Sequence, residues 1–302
     1  MFTDVLITGG NGFVGKNFNF GTKLLKQECD LLDFQKTIYV FRHYQPDAII
    51  HTAGRIGGVI GNMEAKGRYC YENVAINTNV IEAASLAGVK RVLSFLSSCA
   101  YPLNAPLPYE EKTFHDGLPH FAHYGYAYSK RMLDIMSRAY SEQYGVVYNS
   151  LIFSNIYGPN DNFGKEYGHV VPSLVAKCYQ AKKYNTPFVV WGTGIPMREL
   201  IYVEDIVAIT RWALDHYVDT QEPLNIGNPQ QTSIKELAET IAHYMDFTGK
   251  IEWDSTKPDG QQVKPTSMKK FTRLYGEFQF TSLEAGIQKT IKWYIEEMKK
   301  HE

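Results

Sequence analysis

Apolar and polar positions in the first half of the chain alternate between strand-like and helix-like segments. Short, almost continuous apolar runs occupy Asp4–Thr8 (DVLIT), Pro46–Ala53 (PDAIIHTA), Val89–Ser97 (VKRVLSFLS) and Val146–Ser154 (VVYNSLIFS). Between them, a helical period predicts helices over Lys36–Tyr44, Met63–Leu86 and Tyr126–Tyr144. Continuous rather than alternating apolar runs belong to strands buried on both faces, and helices between them make the connections parallel. The predicted class is α/β, a doubly wound, Rossmann-like parallel sheet.

After Tyr157-Gly158-Pro159 the elements shorten. A helix is predicted over Pro172–Lys183, a strand over Phe188–Trp191 and a helix over Glu204–His216. Ser233-x-x-Glu236 and Thr281-x-x-Glu284 have the spacing of capping boxes that open later helices. No repeat, low-complexity tract or Pro/Gly linker divides the chain. The expected organisation is a dinucleotide-binding domain over 1–165, with later returns near 197–226, and a smaller C-terminal α/β substrate lobe, mainly 166–302. The cleft between them is the expected site.

Composition narrows the partners. Lys plus Arg is 31 against Asp plus Glu 32, a net charge of −1, so no basic surface recommends nucleic acid or an anionic membrane. Cys29, Cys70, Cys99 and Cys178 lack metal-type spacing and are too sparse for a disulfide scaffold. Apolar runs are too short to span a bilayer, and the strand-like run at Asp4 leaves no room for a signal peptide. The expectation is a cytoplasmic, soluble, metal-free protein with a small-molecule partner.

Thr8-Gly9-Gly10-Asn11-Gly12-Phe13-Val14-Gly15 directly follows the first strand and satisfies G-x-G-x-x-G. Glycines at this spacing allow a tight turn, close approach of backbone to a pyrophosphate, and packing of the next helix on the sheet. The continuation is short: Lys16–Glu28 has an interrupting Gly21 and poor helical period. Asp30 reads in two ways. It is either the acidic partner of a ribose 2′-OH, favouring NAD, or part of a third-strand segment (Asp30-Leu31-Leu32-Asp33) in which an Asp meets adenine. The residues leave the choice between NAD and NADP open.

Tyr126-Ala-Tyr-Ser-Lys130 places a phenol and an ammonium on one helical face, where the cation is expected to lower the phenol's pKa. The same spacing recurs at Tyr179…Lys183, so position must decide. Tyr126 follows the strand ending Ser97-Ser98-Cys99-Ala100-Tyr101-Pro102, at the carboxyl edge where such sheets hold their chemistry.

Glycine loop, strand-end Ser and Tyr-x-x-x-Lys together resemble the extended short-chain dehydrogenase/reductases. Further blocks are similar to the GDP-L-fucose synthase family, the GDP-4-keto-6-deoxymannose 3,5-epimerase/4-reductases. They are Arg55-Ile-Gly-Gly58 with Asn62, Ser97–Pro102, Asn155-Ile-Tyr-Gly-Pro-Asn-Asp-Asn162, His169-Val-Val-Pro172, Trp191-Gly-Thr-Gly-Ile-Pro-Met-Arg198-Glu199 and Lys257-Pro-Asp-Gly260. They run in order along nearly the whole chain.

The resemblance implies a reductase triad of Ser97, Tyr126 and Lys130, with Cys99 and His169 as epimerase base and acid. It implies NADP(H), with NAD(H) still open, on Gly9, Asn11, Gly12, Phe13, Val14 and Gly15, then Asp30, Leu31, Ala53 and Asn73. Phe95, Phe153, Asn155 and Ile156 are implied around the nicotinamide, with Tyr126, Lys130 and His169. For a GDP-sugar it implies Gly58, Ser98, Cys99 and Asn155, then Lys177, Trp191, Arg198 and Asp259. It also implies a homodimer formed by the Met63–Leu86 and Tyr126–Tyr144 helices.

The chemistry asks for these residue types. A 4-keto group acidifies the hydrogens at C3 and C5, and inversion needs a base on one face and an acid on the other; a thiol and an imidazole qualify. The enolate needs a donor at its oxygen, and Ser97 with Tyr126 supplies one. Cys29, Cys70 and Cys178 read as small buried hydrophobes. Three departures from the family pattern stand out: the short segment after Gly15, Thr266 near a usual Asp, and His120 with His123 in a stretch commonly rich in proline and acid. They keep alive a stand-alone C4 reductase of another 4-keto sugar, such as a heptose. A non-catalytic regulatory subunit would have lost triad members, and all three are present.

Overall fold

The structure, a computed structural model, describes residues 2–57, 61, 63–164, 168–257, 259 and 261–300. β1 (Val5–Thr8) leads through the glycine loop to α1 (Phe13–Asn17), β2 (Thr22–Leu24), α2 (Phe34–Tyr44) and β3 (Ala48–His51). Two long helices alternate with strands next: α3 (Lys66–Leu86), β4 (Arg91–Ser97), α4 (Tyr124–Tyr144) and β5 (Val147–Phe153). The second half begins with β6 (Asn155–Tyr157), α5 (Val170–Tyr184), β7 (Phe188–Trp191), β8 (Met197–Tyr202) and α6 (Val203–His216). It ends with β9 (Leu224–Ile226), β10 (Gln231–Ser233), α7 (Ile234–Tyr244), β11 (Ile251–Asp254), α8 (Lys269–Tyr275) and α9 (Leu283–Lys300).

The predicted fold class is observed. Six strands in the order β2-β1-β3-β4-β5-β9 form one sheet in which every pairing is parallel. Side chains alternate between its faces. Leu6, Ile49, Val92 and Ile152 pack beneath α2, α3 and α4, while Val5, Ile7, Ile50, Leu93 and Leu151 pack beneath α6 and α8. The short crossover read from Lys16–Glu28 is real: α1 has five residues and the edge strand β2 has three. Asp30–Asp33 forms no third strand; it is a turn whose Asp33 carboxylate caps α2 through Lys36 N at 3.0 Å. A three-stranded sheet, β10-β8-β6, and the pair β11-β7 build the rest, with α5, α7 and α9 around a third core.

Of the two predicted caps, Ser233 caps its helix as expected and Thr281 does not. Ser233 accepts from Glu236 N at 3.0 Å. Thr281 instead donates its N–H (2.9 Å) and hydroxyl (2.8 Å) to the buried carboxylate of Asp205 on α6, and Ser282 accepts from Ala285 N at 3.2 Å. A buried carboxylate needs donors more than an exposed helix end needs a second cap partner, so the cap moves by one residue. No helix among the described residues is long and apolar enough to cross a membrane, and no metal-type group of three His, Cys, Asp or Glu gathers there.

A buried arginine ties sheet to helix. Arg91, at the start of β4, donates to the α6-terminal carbonyls of Ala213 (3.0 Å), Leu214 (3.1 Å) and Tyr217 (3.0 Å), and to Val147 O and Asn149 Oδ1 across the sheet. Ala213 O also accepts the Tyr217 N–H, whereas Leu214 and Tyr217 lie at the helix end, where carbonyls run out of helical donors. Arg91→Met should therefore lower unfolding free energy by about 2–4 kcal/mol. A urea midpoint equal to wild type at unchanged slope would contradict this.

Candidate active site

The glycine loop is built by contact as much as by turn. Gly9 has φ +76°, and a Cβ there would lie 2.9 Å from the Ala53 backbone. A Cβ on Gly15 would lie 2.2 Å from the Gly9 carbonyl, so α1 sits against the loop at a distance only hydrogen permits. The result is a cleft of about 440 Å³ along the carboxyl ends of β1–β3. Gly9, Asn11, Gly12, Phe13, Val14 and Gly15 form one wall, and Asp30, Leu31 and Ala53 lie further along it. His169 and Asn160–Asn162 close the other end.

Lys26, Arg55, Glu72 and Asp161 also line this cleft. Lys26 is fixed by its N–H to Asn11 Oδ1 (2.7 Å), with its ammonium 3.7 Å from Asp30. Asn73 holds the loop beside the cleft: Oδ1 accepts from Arg55 N (2.8 Å), and Nδ2 donates to Arg55 O (3.0 Å) and Tyr69 O (2.8 Å). Phe95 and Phe153 are buried with ring centroids 4.5 Å apart, and Ile156 packs on the same cluster. Gly58 and Asn62 lie outside the described residues.

The triad assembles where β4 ends. Ser97 caps the single turn Ser98–Ala100, accepting from Cys99 N at 3.3 Å, and it hydrogen-bonds Tyr126. Lys130 is 4% exposed and donates to the Phe95 carbonyl at 2.7 Å; its Nζ lies 5.8 Å from the Tyr126 ring centroid. A Cβ on Gly54, in the cleft wall, would meet that Nζ at 3.8 Å, which links triad and cleft.

Burial pushes Lys130 down to about 8. Tyr126 is pushed up, by burial first and by Cys99 next, against the Ser97 hydrogen bond. The expected lowering of the phenol is absent because the ammonium is aimed at a carbonyl rather than at the hydroxyl. Tyr126 therefore keeps its proton, the state a proton donor needs. The repeat spacing at Tyr179 is core packing against Tyr294.

Under the triad, Thr8 Oγ1 meets His51 Nδ1 (2.8 Å), His51 Nε2 meets Asn77 Oδ1 (3.0 Å), and Asn77 Nδ2 donates to Ser129 O (3.0 Å). Burial, then the charge of Lys130, holds His51 down at about 3, so it is neutral. The chain joins the glycine-loop strand to the helix that carries Tyr126 and Lys130.

Cys99 is half-buried and close enough to Tyr126, Tyr109 and Arg198 to act on their ionisation. His169 precedes α5, with Nδ1 3.4 Å from Asp161. Burial lowers its basicity, but the hydrogen bond and charge of Asp161 outweigh that and raise it. Trp191 is exposed, with Lys177 4.3 Å and Lys257 5.6 Å from its ring centroid.

Arg198 donates to Met197 O and Gln261 O, each at 2.8 Å, while Asp259 accepts from Thr193 N (2.7 Å) and Oγ1 (2.8 Å). Asn155 Nδ2 donates to Glu199 O at 3.1 Å, and Ser98 is buried. Thr266 donates its N–H and hydroxyl to the buried Glu199 carboxylate, both at 2.7 Å. Burial pushes Glu199 up to about 7. Cys29 and Cys178 are buried as expected, whereas Cys70 is half-exposed in a groove between α3 and α4.

Comparison with known proteins agrees with this geometry. Residues 19–227 match the NAD dependent epimerase/dehydratase family. The chain is 37% identical to a GDP-L-fucose synthase of Dictyostelium discoideum, over 97% of this chain and 95% of that one. It superposes on a GDP-L-fucose synthetase of Naegleria fowleri bound to NADP with a TM-score of 0.92 at 35% identity, covering 99% of this chain and 96% of that one. A GDP-mannoheptose C4 reductase of Campylobacter jejuni with NADP bound gives 0.85 at 25% identity, covering 98% and 99%.

Gly15→Ala tests the cradle. The new methyl must displace the Gly9 carbonyl, so NADPH binding should weaken by about tenfold or more while the far-ultraviolet spectrum is retained. Fluorescence titration with wild-type affinity would show that the loop is not the dinucleotide site.

Proposed function

The chain belongs to the NAD dependent epimerase/dehydratase family, in its GDP-L-fucose synthase branch, and we propose that it converts a GDP-4-keto-6-deoxy sugar into a GDP-6-deoxy sugar. It epimerises at C3 and C5 and reduces at C4. The observation that carries the reading is the grouping of Ser97, Cys99, Tyr126 and Lys130 at the end of β4 beside the glycine-loop cleft.

Dinucleotide binding falls to residues 1–165 with returns near 197–226, and substrate binding mainly to 166–302. NADP(H) fits the cleft, whose wall carries the cations Lys26 and Arg55 near Asn11 and Asp30. A bare Asp facing a ribose 2′-OH would favour NAD; an Asp with a Lys 3.7 Å away offers an extra anion a partner. Trp191 with Lys177 and Lys257 offers a stacking face and positive charge to a nucleoside diphosphate.

Ser97 and Tyr126 donate to the C4 oxygen, stabilising the enolate formed when a hydrogen leaves C3 or C5. Cys99 removes that proton and His169, whose basicity Asp161 raises, returns one to the opposite face. Bound NADPH supplies the hydride that arrives at C4. Tyr126 then gives its proton to the C4 oxygen, with Lys130 keeping positive charge nearby.

The heptose alternative corresponds to the more distant relative and has no use for Cys99 and His169. A regulatory subunit has no use for an intact triad. Exposed Tyr71, Tyr128 and Ile135 beside the groove of Cys70, Val74 and Met132 make α3 and α4 the face for a second copy, giving a homodimer. A mechanism that requires a free thiol fits the reducing cytoplasm.

Two measurements test the proposal. In heavy water with GDP-4-keto-6-deoxymannose and NADPH, cofactor oxidation should accompany deuterium at C3 and C5. Oxidation without deuterium leaves only the stand-alone reductase, and no oxidation with GDP-4-keto sugars overturns the enzyme reading. Reduction needs Lys130 charged, so kcat/KM should fall as pH rises through about 8; a profile flat from pH 7 to 10 would remove that role.

A further inference from the structure

Helix α4 and the residues just before it grip one short stretch of main chain with three side chains. Lys130 donates to Phe95 O (2.7 Å), Arg131 Nε to Ala100 O (2.7 Å), and His123 Nε2 to Cys99 O (3.1 Å). Arg131 also bonds Gly117 O. The first bond belongs to the triad. The other two hold the turn Ser98–Ala100, which carries Cys99.

His123 suits this task. Its ring is stacked on His120, centroids 5.3 Å apart and planes 16° from parallel, and His120 lies against Phe121 in turn. Burial first, then Lys264 and His120, hold its pKa down at about 4, so the imidazole is neutral. Neutral, it has one N–H, and the carbonyl of Cys99 fixes it on Nε2. His123 does not line the cofactor cleft.

We propose that His123 is a positioning residue for Cys99, fixing the peptide that follows the thiol so that Sγ keeps its reach to the substrate carbon. The proposal rests on the reading of Cys99 as the proton-transfer residue. Cys99 N is held by Ser97 and the next carbonyl by Arg131, so the Cys99 carbonyl is the one group of the turn that depends on His123. The helix that carries Tyr126 and the strand that ends at Ser97 are joined separately, by the bond from Lys130 to Phe95 O. Loss of the imidazole should therefore impair proton transfer at C3 and C5 while sparing hydride transfer at C4.

The test compares wild type, His123→Ala, His123→Asn and Cys99→Ser by two readouts. One is deuterium incorporation at C3 and C5 of GDP-4-keto-6-deoxymannose in heavy water. The other is single-turnover hydride transfer from GDP-L-fucose to NADP⁺, which needs no exchange. His123→Ala should lose about tenfold or more in exchange and less than about threefold in hydride transfer. His123→Asn, whose amide can donate to the same carbonyl, should recover most of the exchange. Unchanged exchange in His123→Ala overturns the proposal, and so does equal loss in both readouts at any thermal midpoint. Wild type that transfers hydride without exchange, or wild-type exchange in Cys99→Ser, fails the reading of Cys99 itself and is distinguishable from failure of His123 alone.

Discussion

A buried ammonium must find an oxygen, and where Lys130 finds one sets the position of the reacting groups. Its bond to the Phe95 carbonyl lies out of water, where an unmatched charge costs several kcal/mol, so α4 cannot slide along β4 without losing it. The two elements run in opposite directions with matched steps. Four helical residues advance about 6 Å and two strand residues about 6.6 Å. Lys130 at Phe95 thus brings Tyr126 to Ser97, and just beyond the two matched elements the residue before the helix, His123, meets Cys99 in the turn after the strand. Beneath this ladder, His51 and Asn77 join Ser129 to Thr8, so the catalytic helix is also registered against the glycine-loop strand.

The cofactor end is governed by a different constraint, a crossover too short for a full helix. With only Phe13–Asn17 behind the loop, little helix dipole is available, and close packing does the work instead. Gly15 brings α1 onto Gly9, and Asn11 reaches across to Lys26. A chain of net charge −1 has no global field to draw in two anionic ligands. Its cations act locally: Lys26 and Arg55 at the cleft, Lys177 and Lys257 at Trp191.

The four inner strands of the large sheet, β1, β3, β4 and β5, were legible because doubly buried strands leave continuous apolar runs, and the meeting of Ser97, Tyr126 and Lys130 because their spacing sits at a strand end. The three-residue strands β6, β9 and β10 left no such trace; their pairing is decided by distant partners such as Glu199 opposite Gln231. Thr281 looked like a cap because sequence shows neighbours and not the Asp205 carboxylate seventy-six residues away. The phenol's ionisation was misread for a related reason. Spacing puts Lys130 near Tyr126, but only the fold shows that burial outweighs proximity and that the ammonium faces a carbonyl. Cys99 and His169 came from resemblance, and spacing alone could not have told Cys99 from Cys70.

The raised pKa of Tyr126 suits the proposed mechanism, in which one oxygen is used twice. In the proposed mechanism the phenol supports the enolate during epimerisation through a hydrogen bond, without surrendering its proton. A phenol held above its ordinary value of about 10 donates a hydrogen bond and keeps the proton. After hydride arrival the C4 oxygen becomes an alkoxide, a far stronger base than an enolate, and the same phenol transfers its proton readily. In the proposed mechanism burial would order the two steps, withholding the proton from the weaker base and releasing it to the stronger. A Tyr126 acidified by its lysine, as spacing alone suggested, would blur that order.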